Sequence, residues 1–133
     1  DTEDDSMTAP APVREYEVRA RSTDVFGRVL CSARDHHFIV DGPVQNGCPG
    51  EELTPPEIFL SAVAACGVEL IHVIAKEQAR PLGSVKARVY AKLDRSKQPK
   101  QDVTVFNEVN VEFELTGTDA ATAEELVEQF TRR

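Results

Sequence analysis

The segment Thr54–Lys76 (TPPEIFLSAVAACGVELIHVIAK) constrains this chain more than any other. Thr54 suits an N-cap, and Pro55 suits the first helical position, where a missing N–H costs nothing. Glu57 stands three residues after Thr54, the spacing of a capping box. Ile58, Phe59, Leu60, Ala62, Val63, Ala64 and Ala65 follow, and beyond Cys66 a second apolar run reaches Ala75. Apolar residues on nearly every face predict a long buried helix rather than one lying on a surface. It should end near Gln78–Arg80, ahead of Pro81 and Gly83, with Lys76 and Arg80 where cations suit the helix dipole. The small residues Ser61–Ala65 let other backbones approach and leave room beside the Cys66 sulfur.

Such a helix needs cover, and the flanking sequence reads as strands. Residues 1–12 (DTEDDSMTAPAP) are acidic, Pro-rich and poor in large apolar groups, which predicts a flexible arm. Residues 13–133 form a single domain with enough chain for a core. Tyr16, Val18 and Ala20 alternate with Glu15, Glu17 and Arg19, predicting a half-buried strand over Arg14–Arg21. Thr23-Asp24 marks a turn. Val25–Ala33 gives a second strand in which Gly27 is a bulge or a close approach. Arg34-Asp35-His36 reads as a hairpin tip, and His37–Asp41 as the third strand of a meander. Gly42–Leu53 is a loop punctuated by glycine and proline.

After the helix, Val85, Ala87, Val89, Ala91 and Leu93 alternate with polar residues, the cleanest strand signal in the chain. Asp94–Gln101 is a polar loop. Val103–Phe106 and Val109–Leu115 give one interrupted strand or two short ones, stopped at Gly117. Thr122-Ala-Glu-Glu125 reads as a second capping box, opening a helix that buries Leu126, Val127 and Phe130. The order is βββ–α–ββ–α, an α+β fold. About five strands have one long apolar helix to cover in a small domain, which invites a second subunit.

Charge and cysteine content exclude several function classes. A net charge of −8 and a pI near 4.9 argue against nucleic acid as a partner, because phosphate binding needs a basic face. Glu69 and His72 interrupt the Ser61–Ala75 run, which argues against a membrane span. The N-terminus shows no signal pattern, which points to the cytoplasm. Three cysteines spaced 17 and 18 residues apart fit no CxxC or metal motif and read as free thiols. Cys48, Cys66 and the histidines lack the ligand spacing of a zinc site, and neither a metal nor a cofactor is expected. Cys48, in a Gly/Pro loop, should be the most exposed thiol, and Cys31 a core residue of its strand. His36 and His37 read as turn and strand polar residues, His72 as a core or interface histidine.

These elements resemble the OsmC/Ohr superfamily, the osmotically inducible and organic hydroperoxide resistance proteins. The resemblance is carried by His37-Phe-Ile-Val-Asp-Gly-Pro43 with the Gly-rich loop, and by Thr54-Pro-Pro-Glu-Ile-Phe-Leu-Ser-Ala-Val-Ala-Ala-Cys66. Ala79-Arg-Pro-Leu-Gly-Ser-Val85 and the late helix support it, over roughly residues 13–133 in element order. It implies an intertwined homodimer with central helices back to back. It also implies reduction of organic hydroperoxides by a cysteine pair that a small thiol or lipoyl-type dithiol re-reduces.

Carried over by position, Cys66 matches the peroxide-attacking cysteine. Glu57 matches the helix-start acid approximately, since Pro56 occupies the place directly after the first proline. The site's arginine comes from the early strands, with Arg34 and Arg28 the candidates and Arg21 behind them. The family's second cysteine follows the late helix, usually as Cys-Pro, about where this chain stops at Arg133. Neither Cys31 nor Cys48 matches it, so the chain is either truncated or lacks the partner thiol. The second function compatible with the resemblance is a catalytically degenerate dimer that binds a small apolar ligand.

The chemistry explains the residue types. A thiolate attacks the distal peroxide oxygen and becomes a sulfenic acid. A guanidinium favours the thiolate, and a carboxylate can hold that guanidinium through a bidentate pair.

Overall fold

The computed structural model describes residues 12–133. The arm expected at 1–12 therefore lies outside the described residues, apart from Pro12. The chain divides into two compact units, one ending at Pro55 and the other beginning at Pro56.

The first unit is a three-stranded antiparallel meander of β1 (Arg19–Ser22), β2 (Arg28–Ala33) and β3 (His36–Asp41). The first strand is shorter than its alternation predicts. Arg19 pairs with Ser32, so Val18 falls opposite Ala33, the last residue of β2, and residues before it run past that strand's end. Tyr16 and Val18 are exposed, and the half-buried strand over Arg14–Arg21 is corrected to four exposed residues. The second strand starts at Arg28 rather than Val25. Gly27, at φ +80, closes the preceding turn in the left-handed region that glycine enters freely. The Thr23 hydroxyl accepts from the Val25 amide and donates to the Arg28 carbonyl, fixing that turn. The hairpin tip is the two-residue turn Arg34-Asp35, so His36 joins β3, and Arg34 takes a positive φ of 53.

The loop after β3 folds back onto the sheet's end. The Asp41 amide donates to the Leu53 carbonyl and the Gly42 amide to the Gly27 carbonyl. Cys48 fills the space between Gly27 and Gly42, where a Cβ on Gly42 would meet its Sγ at 2.5 Å. Cys48 is therefore half-buried, not the most exposed thiol, because two missing side chains make room for its sulfur.

The second unit holds α1 (Pro55–Glu77) from Pro56 onward, β4 (Val85–Lys92), β5 (Glu108–Leu115) and α2 (Ala120–Thr131). The strands β4 and β5 pair antiparallel from Val85↔Leu115 to Lys92↔Glu108. Val103–Phe106 adds no strand, since the Val105 amide donates to the Gln98 side chain instead of a ladder. The second capping box is also corrected. The N-cap is Asp119, whose carboxylate accepts from the Thr122 amide, and Thr122 lies one turn inside the helix. There its buried hydroxyl accepts from Arg80 Nη2, and Arg80 also pairs with Glu125, tying the end of α1 to α2.

The core of this unit is Ile71, Ile74, Ala75 and Leu126, with Val85, Phe113, Leu115 and Phe130 packed around it. Full burial of Ile71, Ile74 and Leu126 stabilises the fold by roughly 1.5–3 kcal/mol each. By length and composition α1 would pass for a membrane span despite Glu69 and His72. Its stripe of Gly67, Ile71, Ile74 and Ala75 packs against side chains of β5 and α2.

Candidate active site

The helix α1 is not buried all round by its own chain. Gly67, Ile71, Ile74 and Ala75 are buried, and they fall on one side at about 3.6 residues per turn. A second seam, Ala62, Cys66, Glu69 and Val73, runs along a different side with the alternating four- and three-residue spacing of paired helices. Cys66 stands exposed in its middle, whereas Cys31 and Cys48 are half-buried. Glu69 is its neighbour one turn on, and His72 is exposed rather than a core histidine.

The ground beneath Cys66 is set by the next residue. A Cβ on Gly67 would lie 2.7 Å from Phe113 Cζ and 3.4 Å from Phe130 Cζ. Phe113 and Phe130 meet edge to face at 5.5 Å, so two aromatic rings press against the helix where it carries no side chain. Two turns before Cys66 and on nearly the same side, Phe59 stacks on Phe106 at 6.0 Å.

Glu57 lies in the first turn of the same helix. Nine residues separate it from Cys66, about 13 Å along the axis and half a turn out of phase. Its carboxylate therefore cannot reach the sulfur of its own chain.

The candidate arginines belong to the first unit and are described within it. Arg28 opens β2 directly opposite Asp41, the last residue of β3. Its Nε donates to Asp41 Oδ1 and its Nη2 to Asp41 Oδ2, both at 2.8 Å, and Nη2 also donates to Glu51 Oε1. Asp41 is fully buried, and its Oδ2 accepts two further bonds from the Glu51 and Glu52 amides. The Arg28 guanidinium, ahead of those amides, holds the Asp41 carboxyl far below the usual carboxylate range. The same pair, with Glu51 second, raises Arg28 above its ordinary value. This is the bidentate clamp the chemistry calls for, but its carboxylate is Asp41, which sequence reasoning passed over. It fastens the loop that follows β3 to the end of the sheet.

Arg34 is exposed at the hairpin tip, and its carbonyl accepts from Arg19 Nη2. Arg21 is exposed on the edge strand β1. His37 is engaged across the strands, its Nδ1 2.7 Å from the Ser32 hydroxyl. Among the described residues, no group of three His, Cys, Asp or Glu is placed to hold a metal ion.

An α+β fold with a meander, one long central helix, a two-stranded sheet and a late helix, with a cysteine on that helix, defines a class. The chain belongs to the OsmC-like protein family, whose sequence model matches residues 48–133. Solved structures share the fold. An OsmC-like protein from Mycoplasma pneumoniae superposes with a TM-score of 0.74 at 16% identity, over 90% of this chain and 82% of that one. An organic hydroperoxide resistance protein OsmC from Legionella pneumophila gives 0.73 at 19% identity, over 92% and 85%. An organic hydroperoxide resistance protein from Elizabethkingia anophelis gives 0.71 at 14% identity, over 90% and 83%. A search of curated proteins finds no match.

Proposed function

We propose that this chain reduces organic hydroperoxides through Cys66. The observation that carries the reading is the placement of Cys66, the exposed thiol in the middle of the Ala62, Glu69 and Val73 seam on the central helix. Membership of the OsmC-like family supports it, as do the names of two of the structural relatives.

In the proposed step the Cys66 thiolate attacks the distal peroxide oxygen. An S–O bond forms, the O–O bond breaks, and the departing alkoxide takes a proton to leave as an alcohol. A thiol then condenses with the sulfenic acid, releasing water, and a second thiol or the other arm of a lipoyl-type dithiol restores Cys66. The cation that favours the thiolate comes from the early strands: Arg28, already held by the Asp41 and Glu51 carboxylates, or Arg34, with Arg21 behind them. Glu57 enters only from a second chain, because helix geometry separates it from its own Cys66. That second chain is the homodimer partner, which covers the Ala62–Val73 seam. The chemistry suits a reducing, cytoplasmic compartment.

The test is mass spectrometry of the wild type and Cys66→Ser after a short pulse of cumene hydroperoxide. Cys66 should oxidise faster than Cys31 or Cys48, and in the 133-residue chain its sulfenic acid should persist or pass to sulfinic acid. Oxidation of Cys31 and Cys48 with Cys66 untouched would overturn the reading and leave a ligand-binding dimer in its place.

A further inference from the structure

The connection between β4 and β5 carries a charge pattern that the thiol chemistry does not use. Arg95, Lys97 and Lys100 face only Asp94 and Asp102 within it, a locally cationic stretch on a chain of net charge −8. Of those two carboxylates, Asp94 is already taken by the Ser96 amide and hydroxyl. The connection is braced from inside. Asn107 accepts from the Asp94 amide and donates to the Lys97 carbonyl, while Gln98 donates to the Asp94 carbonyl and accepts from the Val105 amide. Four side-chain bonds thus give a polar loop a fixed form.

Two concavities adjoin there. One, of about 440 Å³, is lined by Arg95, Ser96, Gln98, Pro99, Lys100 and Gln101, and reaches Val103 and Thr104. The other, of about 430 Å³, is lined by Phe59, Leu93, Thr104, Val105, Phe106 and Val109. Thr104 belongs to both, so a cationic recess opens into an apolar groove. Phe59, Leu93, Val105 and Val109 are all exposed, more apolar surface than scattered single residues leave. Both volumes fall in the range of small-molecule sites.

We propose that these paired recesses bind a linear amphipathic carboxylate, its head on Arg95 and Lys100 and its chain in the groove beside Phe59. Arginine and lysine at one end favour a carboxylate, and the mainly apolar walls at the other favour an alkyl chain. A free monomer fits better than an anionic bilayer. The groove has room for a small ligand, and a chain of net charge −8 approaches a negative surface against its own field. This site goes beyond the peroxide reading and does not need it, because the ligand carries no peroxide.

Calorimetric titration of the full chain with octanoate, octanol and acetate tests the proposal. Octanoate should bind, acetate should not, and octanol should bind more weakly. The double variant Arg95→Glu/Lys100→Glu, both residues exposed, should weaken octanoate by about tenfold or more and leave octanol unchanged. Phe59→Ala should weaken both. Equal octanoate binding by the wild type and the charge-reversed variant would overturn the proposal. So would absence of octanoate binding, whether a second copy of the chain fills the groove or the protein instead sediments with phosphatidylglycerol vesicles. Octanoate binding alongside an inert Cys66 would remove the peroxide reading alone.

Discussion

Replacing Gly67 by alanine sets two effects of known size against each other. Glycine inside a helix is less favourable than alanine by about 0.8–1.0 kcal/mol, so on an exposed face the change stabilises. At Gly67 the new methyl would stand 2.7 Å from Phe113 Cζ and 2.9 Å from Cε1, where carbon contacts prefer about 3.5–4.0 Å. The Phe113 ring would have to retreat by about 1 Å, and it is wedged against Phe130. Overpacking of this kind costs about 1–3 kcal/mol, and disturbing the edge-to-face pair adds up to about 1.5 kcal/mol. The clash wins, and Gly67→Ala should lose roughly 1–2 kcal/mol, a fall in Tm of roughly 3–8 °C for a chain this size. The assay is thermal unfolding of four proteins: wild type, Gly67→Ala, Phe113→Leu and the double variant. In the Phe113→Leu background the same alanine should become neutral or stabilising, because the ring it strikes is gone. A higher Tm for Gly67→Ala in the wild-type background would refute the reasoning.

Two further outcomes follow from charge and from the uncovered seam. The Asp41 carboxyl is held low by Arg28, so its contribution is present above the ordinary carboxylate range and is lost as pH falls through its own lowered value. Asp41→Asn should therefore lower stability at neutral pH and flatten its decline in acid, read from denaturant midpoints at a series of pH values. Sedimentation at micromolar concentration should show a dimer, and Val73→Glu, a new charge in the seam of Cys66, should shift it toward monomer. A wild-type monomer would contradict the proposed covering of the seam.

How far the sequence discloses this fold depends on where each pattern draws its meaning. In β4 the alternation is local, and it appears intact as alternating burial from Val85 to Lys92. At Tyr16 the same alternation misleads, because a strand needs a neighbour of matching length and β2 stops at the hairpin, and at Val18 it misleads because the whole first strand is exposed. The helix α1 is legible from its composition, but its single buried stripe is not, since burial depends on what lies over it. The apolar side of the late helix is legible in the sequence, but its cap is Asp119, three residues before the Thr122 that the capping-box pattern favours. The Arg28–Asp41 clamp was within reach. Both residues lie six positions from the Arg34-Asp35 turn, so a two-residue tip places them opposite each other. Reading His36 into the tip removed that symmetry. Cys66 is legible by type and context, whereas no spacing in the sequence joins Glu57 or the arginines to it.

The half-buried thiol of Cys48 has a different use. Its sulfur is enclosed by Gly27 and Gly42, on a loop that the buried Asp41 carboxylate grips through the Glu51 and Glu52 amides. That enclosure slows a bulky alkylating reagent, and lifting of the loop would expose the half-buried sulfur fully. Its labelling rate under native conditions is therefore a clock for local opening, much as amide exchange is for a backbone N–H. Every tie between this loop and the sheet's end is written into that one rate, without unfolding the rest of the molecule.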